Sequence, residues 1–275
     1  PEQVLEITIQ RREEQLGFVR GESGWQMQAP VEDRANDQLL SRVVQALEGA
    51  KRGIRLDNAD PGAMGFEPEP IAAVELVVDG GKVVTFQVGE RAPVGWQDYL
   101  RNDQGAIFAV SGNLSEELTR RPDEYRHPGL IEVDFAEVTE VRLRSAPGLL
   151  DARKGADGRW WLEGFGAANP DAVEELLIAL STMRFTGFYH ASLPAIDSPA
   201  FEVEVVQGGS RLQLTMGDVT AMGRLALDTE GRPGFVDATS SVFLRQGPTD
   251  LGIANVLDAR PSELTAVTIR GSNST

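Results

Sequence analysis

The sequence predicts an α+β chain of two tandem repeats, each a mostly antiparallel β-sheet with a long helix packed on one face and a short carboxyl-terminal helix. Three observations predict it. One strand is written three times, from Gln3 to Gln10, from Glu137 to Arg144 and from Glu263 to Arg270. A hairpin rich in glycine recurs downstream, as does an amphipathic helix between strand and hairpin. The spacing of the copies is a domain length, far beyond a solenoid period. We therefore expect unit 1 over residues 1–136, unit 2 over 137–262, and in 263–275 the first strand of a truncated third unit or a tail. An opening proline at a repeat boundary and a third copy cut off after one strand suggest a piece of something longer.

Each unit begins with the repeated strand and a turn that runs into tryptophan, Gly21-Glu22-Ser23-Gly24-Trp25 or Gly155 to Trp161. Trp25, Trp160 and Trp161 then occupy equivalent strand positions and are expected in the core. Next comes the helix. Leu39, Leu40, Val43, Val44 and Leu47 make one apolar stripe, with Asn36 or Asp37 as its cap. In the second unit Asn169, Pro170 and Asp171 open the helix of Val173, Leu176, Leu177 and Leu180, with proline at the first helical position.

The hairpin follows: Val74 to Gly89 and Phe201 to Gly217 alternate apolar and polar residues around Gly80-Gly81 and Gly208-Gly209. Glycine pairs supply the positive φ of a tight two-residue turn. Gln97 to Arg101 and Leu225 to Asp228 are the next strand, and Ala106 to Val110 and Gly234 to Val236 the one after. Leu114 to Leu118 and Ser240 to Leu244 form the short helix. Leu130 to Val133 and Asn255 to Asp258 would close each unit as an apolar strand.

Net charge is −16 with a sequence pI near 4.6. Phosphate binding needs clustered cations, and Arg11-Arg12, Lys51-Arg52 and Arg120-Arg121 are doublets beside carboxylates, so nucleic acid is not expected as a partner. An anionic bilayer surface would be repelled as well. Cysteine is absent, which removes disulfides, thiolate metal sites and cysteine nucleophiles. The apolar runs are too short to span a bilayer.

No motif spells out a reaction. His127 and His190 sit in neither HExxH spacing nor a nucleophile motif and read as loop histidines. Gly164 to Asn169 resembles a dinucleotide loop for four positions, but a loop leading to a helix cap explains it in this antiparallel setting. Asp57-Asn58-Ala59-Asp60 and Glu67-Pro68-Glu69 lack the alternation of a calcium loop. We therefore expect a non-enzyme, with no catalytic residue, cofactor or metal ligand. Trp96 is the candidate partner contact: at a constant offset its counterpart is Arg224, so the common fold does not require an indole there.

The order of Val4 to Ile9, Gly24 to Pro30, Met64-Gly65-Phe66-Glu67-Pro68, Gln87-Val88-Gly89 and Tyr99-Leu100-Arg101 resembles the bacterial domain of unknown function family 4340. The likeness runs over nearly all of both units. The second departs from it at Leu193 to Pro199 and at Leu225-Ala226-Leu227. The resemblance implies repeats on the extracytoplasmic, periplasmic side, tethered to the inner membrane by a helix missing from this chain. It also implies association with an envelope ABC-type transport complex near gliding-motility genes, with ABC permease components or another envelope protein as partner. The expected function is that of a non-enzymatic interaction module. The alternatives are an envelope glycan hydrolase using a carboxylate pair and a small-ligand or cation-binding protein.

Overall fold

The computed structural model describes residues 3–12, 14–50, 53–93, 95–189 and 196–252. The chain divides into two compact units, Pro1–Pro128 and Gly129–Thr275.

In unit 1 the strands are β1 (Val4–Arg11), β2 (Glu14–Gly21), β3 (Gly24–Ala29), β4 (Asp33–Arg34), β5 (Ile54–Arg55), β6 (Ala72–Val78), β7 (Lys82–Arg91), β8 (Gln97–Asn102) and β9 (Ile107–Ser111). Helix α1 (Asp37–Ala50) lies between β4 and β5, and α2 (Leu114–Leu118) with a 3₁₀ turn at Pro122–Tyr125 follows β9. The strands form one sheet in the order β4-β3-β2-β1-β6-β7-β8-β9-β5. Strand periodicity decides its faces. Ile7 stands opposite Phe18 and Leu76, and Ile9 opposite Leu16 and Val74, so their side chains form continuous rows on one face. Those rows are buried together with Leu39, Leu40 and Val43 of α1, Leu114 and Leu118 of α2, and Tyr125. Thr8, Gln10, Glu75 and Thr85 point to the opposite, open face.

In unit 2 the strands are β10 (Val138–Ser145), β11 (Gly148–Lys154), β12 (Trp160–Leu162), β13 (Gly166–Ala167), β14 (Phe185–Phe188), β15 (Phe201–Gln207), β16 (Ser210–Thr220), β17 (Gly223–Leu227) and β18 (Pro233–Val236). Their order, β13-β12-β11-β10-β15-β16-β17-β18-β14, repeats that of unit 1 strand for strand. Helix α3 (Pro170–Thr182) takes the place of α1, a 3₁₀ segment Thr239–Arg245 that of α2, and α4 (Pro248–Leu251) that of the turn at Tyr125. The helix caps agree too. Asn36 Oδ1 accepts from Leu39 N at 3.2 Å and Asn169 Oδ1 from Asp171 N at 3.1 Å, each satisfying an amide of the first turn. Asp37 is engaged elsewhere: its Oδ1 accepts from Trp25 N at 2.8 Å.

The α+β expectation is corrected by this architecture. Each unit is a mostly antiparallel β structure, and its longest helix has only 14 or 13 residues against nine strands. The excess of strand comes from short edge pairings, β4 on β3, β5 on β9, β13 on β12 and the four-residue β14 on β18. Such pieces are too short to show periodicity. The first glycine hairpin is also wider than expected: Val78 pairs with Lys82 around Asp79-Gly80-Gly81. Only the second, with Gln207 paired to Ser210 around Gly208-Gly209, is a two-residue turn.

Leu130 to Val133 does not form a strand. It lies in unit 2, where Leu130 and Ile131 enter the hydrophobic core. The expected strands Asn255 to Asp258 and Glu263 to Arg270, the tail 263–275, Lys51-Arg52 and His190 fall outside the described residues.

Candidate functional site

The β7–β8 connection carries the candidate contact. Ala92 N donates to Gln97 O at 2.7 Å, closing a loop whose last residue, Trp96, has φ +51°. A left-handed backbone costs a non-glycine residue about 1–2 kcal/mol, so the surrounding bonds must hold it. The indole is 76% exposed. The guanidinium carbon of Arg91, the last residue of β7, sits 4.9 Å from the ring centroid, a cation–π arrangement.

Arg91 is itself anchored. Its Nη2 donates to Asn113 Oδ1 at 2.5 Å, and its Nε lies 3.9 Å from Asp98 Oδ1. Asp98 is fully buried. Its carboxylate accepts from the amide of Ser115 at 3.1 Å and from the Ser115 hydroxyl at 2.6 Å, at the start of α2. A chain of charge-assisted contacts therefore runs from a buried aspartate through an arginine to an exposed indole.

Register corrects the assumed counterpart of Trp96. Arg91 pairs with Asp98 in unit 1, and Val219 pairs with Arg224 in unit 2. Arg224 thus stands where Asp98 does, and Trp96 corresponds to Met222, the residue immediately before β17. The β16–β17 turn is two residues shorter, which shifted the constant-offset alignment. Met222 is 69% exposed, so both tips present a large apolar side chain. At the buried position beneath, Arg224 donates to Ser241 Oγ at 3.0 Å and to Gly217 O at 2.6 Å, and it lies 4.8 Å from the Phe201 ring. Burial lowers its pKa from the ordinary arginine value, with the nearby Arg245 acting in the same direction.

Trp25 and Trp160 are core residues, each with a cation over its ring: Arg20 at 5.6 Å and Lys154 at 5.9 Å. Trp161 is not. It pairs with Arg153, on the opposite face from Trp160, and is 46% exposed. His127 donates its backbone amide to Arg34 O at 2.8 Å. Gly164 to Asn169 forms a turn, the two-residue strand β13 and the cap of α3, the structural role expected of it. Asp60 Oδ1 accepts from Gly62 N at 3.0 Å, and Asp57 pairs with Arg55 at 3.5 Å. Among the described residues no group of three His, Asp or Glu is placed to hold a metal ion, and no helix is long and apolar enough to cross a membrane.

Sequence reasoning missed Arg91, Asp98 and Met222. A charged residue at an inward strand position, as Asp98 is, was the available signal for the buried member.

Fold and site together define a two-unit antiparallel β protein with an exposed apolar side chain at the equivalent hairpin of each unit. The chain belongs to the family described as Domain of unknown function (DUF4340), whose model matches residues 25–201, from Trp25 in β3 to the first residue of β15. No curated protein and no solved structure matches it.

Proposed function

We propose that the chain is a non-enzymatic extracytoplasmic docking module of a membrane-anchored envelope protein, built by duplication of one unit and associated with an ABC-type transport complex. The observation that carries the docking reading is Trp96, held open at a hairpin tip by a left-handed backbone and a stacked arginine. Tryptophan and arginine dominate binding hot spots, and a side chain already fixed in place loses less entropy on association. The identical strand order of the two sheets supports duplication. Two similar tips, Trp96 and Met222, favour bivalent engagement of a partner. The envelope setting and the transport complex rest on the family resemblance.

The test is a photo-crosslinking residue placed at position 96 of the native full-length protein in its own cells, with position 105 as a control. The expected product is a specific adduct with a permease or another envelope protein. It is accompanied by a loss of partner affinity of about thirtyfold in Trp96→Ala with little change in melting temperature. A large drop in melting temperature, or adducts equal to those from position 105, would remove the docking role from Trp96.

A further inference from the structure

The open faces of the two sheets share carboxylates but not the cations that face them. In unit 2 Arg142 of β10 is enclosed by three carboxylates. Its Nε lies 3.0 Å from Asp151, opposite it on β11, its Nη1 3.2 Å from Glu204, opposite it on β15, and its Nη2 2.5 Å from Glu140, two residues back on its own strand. Two of those acids have a second cation, Arg153 at 3.4 Å from Glu140 and Arg211 at 2.9 Å from Glu204.

Unit 1 keeps two of the acids and none of the arginines. Thr8 stands where Arg142 does, opposite Glu75 on β6 and Gly17 on β2, and Glu6 lies two residues back, opposite Val19. Val19 and Val83 take the places of Arg153 and Arg211. Among the described residues neither Glu6 nor Glu75 has an ion pair. Arg101, in the neighbouring row, is committed elsewhere: its Nε donates to Gln87 Oε1 at 2.7 Å, and its guanidinium carbon sits 4.9 Å from the Phe66 ring centroid. The vacated space is a hollow of about 580 Å³ over Thr8, Ala73 and Glu75. In unit 2 every residue lining the equivalent hollow is the register counterpart of one lining the first, yet its volume is about 280 Å³. Arg142, Arg144 and Glu202 fill there what Thr8, Gln10 and Ala73 leave open. The difference lies in side chains within the strands and depends on no segment outside them.

We infer that the hollow on the open face of unit 1 is a docking site for an arginine side chain of a partner polypeptide, its guanidinium seated over Thr8 against Glu75 and Glu6, as unit 2 seats its own Arg142. A guanidinium suits carboxylates on several sides because its donors form a planar fork. Charge complementarity is what the replaced arginines leave behind. A guanidinium alone fills only part of the volume, and the rest is lined by Gln10, Gln15, Gln87 and Thr85, groups that both donate and accept, as peptide bonds do. A net charge of −16 favours a basic partner. The Trp96 hairpin is not part of the lining, so this site and the docking role of Trp96 can fail separately.

The probe is a blocked pentapeptide with arginine at its centre between threonines, titrated into the full chain and followed by NMR of side-chain amides and methyl groups. Saturable shifts are expected at Thr8, Gln10, Thr85 and Gln87, with Gln213 and Thr215 unmoved. The same peptide with citrulline, which keeps the shape and loses the charge, should bind about tenfold more weakly or worse. So should the arginine peptide to Glu75→Gln, whose melting temperature should stay near wild type. Thr8→Arg, which restores the side chain of unit 2, should abolish binding in a folded chain. Absence of shifts at about 1 mM peptide, the range of very weak association, equal binding of the citrulline peptide, or undiminished binding to Thr8→Arg would overturn the inference. Free arginine amide binding as tightly as the peptide would overturn it too, by making the occupant a small molecule. So would binding that emerges only in an Arg260→Gln, Arg270→Gln chain, since the hollow would then belong to the chain's own arginines.

Discussion

Replacing Asp98 with alanine tests the link between the buried carboxylate and the hairpin above it. The wild-type side chain is fully buried, accepts two hydrogen bonds from Ser115 and faces Arg91 Nε at 3.9 Å. Removing it strands a buried amide and a buried hydroxyl, at about 1–3 kcal/mol for each buried group left unsatisfied. It also withdraws the anion facing a guanidinium whose side chain is 34% exposed, a smaller loss because solvent screens it. Relief of carboxylate desolvation offsets part of this. The expected net loss is about 3 kcal/mol, or roughly 10 °C in the melting temperature of a unit of this size. Asp98→Asn, which keeps one acceptor, should lose about half as much. The assay is urea unfolding, with unit 2 as an internal reference. A cycle with Ser115→Ala should give a coupling of about 1–2 kcal/mol. A loss below about 1 kcal/mol for Asp98→Ala, or strict additivity in the cycle, would refute the reasoning.

Two further outcomes follow from close contacts and from titration. In Gly89→Ala the new Cβ would lie 2.2 Å from the Met64 carbonyl oxygen and 3.1 Å from the Phe66 ring, and that carbonyl already accepts from Glu90 N at 2.8 Å. Backbone must move, so thermal unfolding should show a loss above about 2 kcal/mol. Gly80→Ala, with open space around it, should lose only the roughly 1 kcal/mol of its positive φ. Glu124 is held below the ordinary glutamate value of 4.5 by the Arg121 amide first and by Arg120 next, against the opposing effect of burial. A depressed folded-state pKa contributes stability that is complete above pH 4.5 and is lost as pH falls through the lower folded value. Glu124→Gln should therefore flatten the acid side of the stability profile below about pH 4.5, read from urea midpoints between about pH 6 and pH 3. An unchanged slope would contradict that.

Much of each sheet was legible because alternation over seven or more residues is a strong signal. Strands β1, β6, β7, β10, β15 and β16 and both main helices were read from the residues alone. Strands of two to four residues carry too little period to read, which is why β4, β5, β13 and β14 were missed and the helical share of the fold was overstated. Leu130 to Val133 misled for a different reason. A short apolar run reads equally well as a strand or as a plug, and only the neighbours decide. At the candidate site Trp96 was legible as an oddity, whereas its cation and the buried carboxylate depend on pairings that span the β7–β8 loop.

A constant offset is the wrong ruler between two such units, and the reason is physical. A one-residue slip within a strand would turn every side chain to the other face, so length changes are confined to turns, and the offset is constant only between them. Register shows offsets of 134 for β1 with β10 and 128 for β7 with β16, from Ile9 and Leu143, and Phe86 and Leu214. Past the next turn it is 126, from Leu100 and Ala226. Measured that way, the two units hold opposite charges, Asp98 and Arg224, at one buried position above equivalent serines. A hydroxyl can both donate and accept, so Ser115 gives its proton to the carboxylate while Ser241 takes one from the guanidinium. The larger arginine finds its second acceptor in Gly217 O. The same frame can thus accommodate charge reversal beneath its hairpin while the apolar residue at the tip is kept, which separates what the sheet requires from what the tip presents.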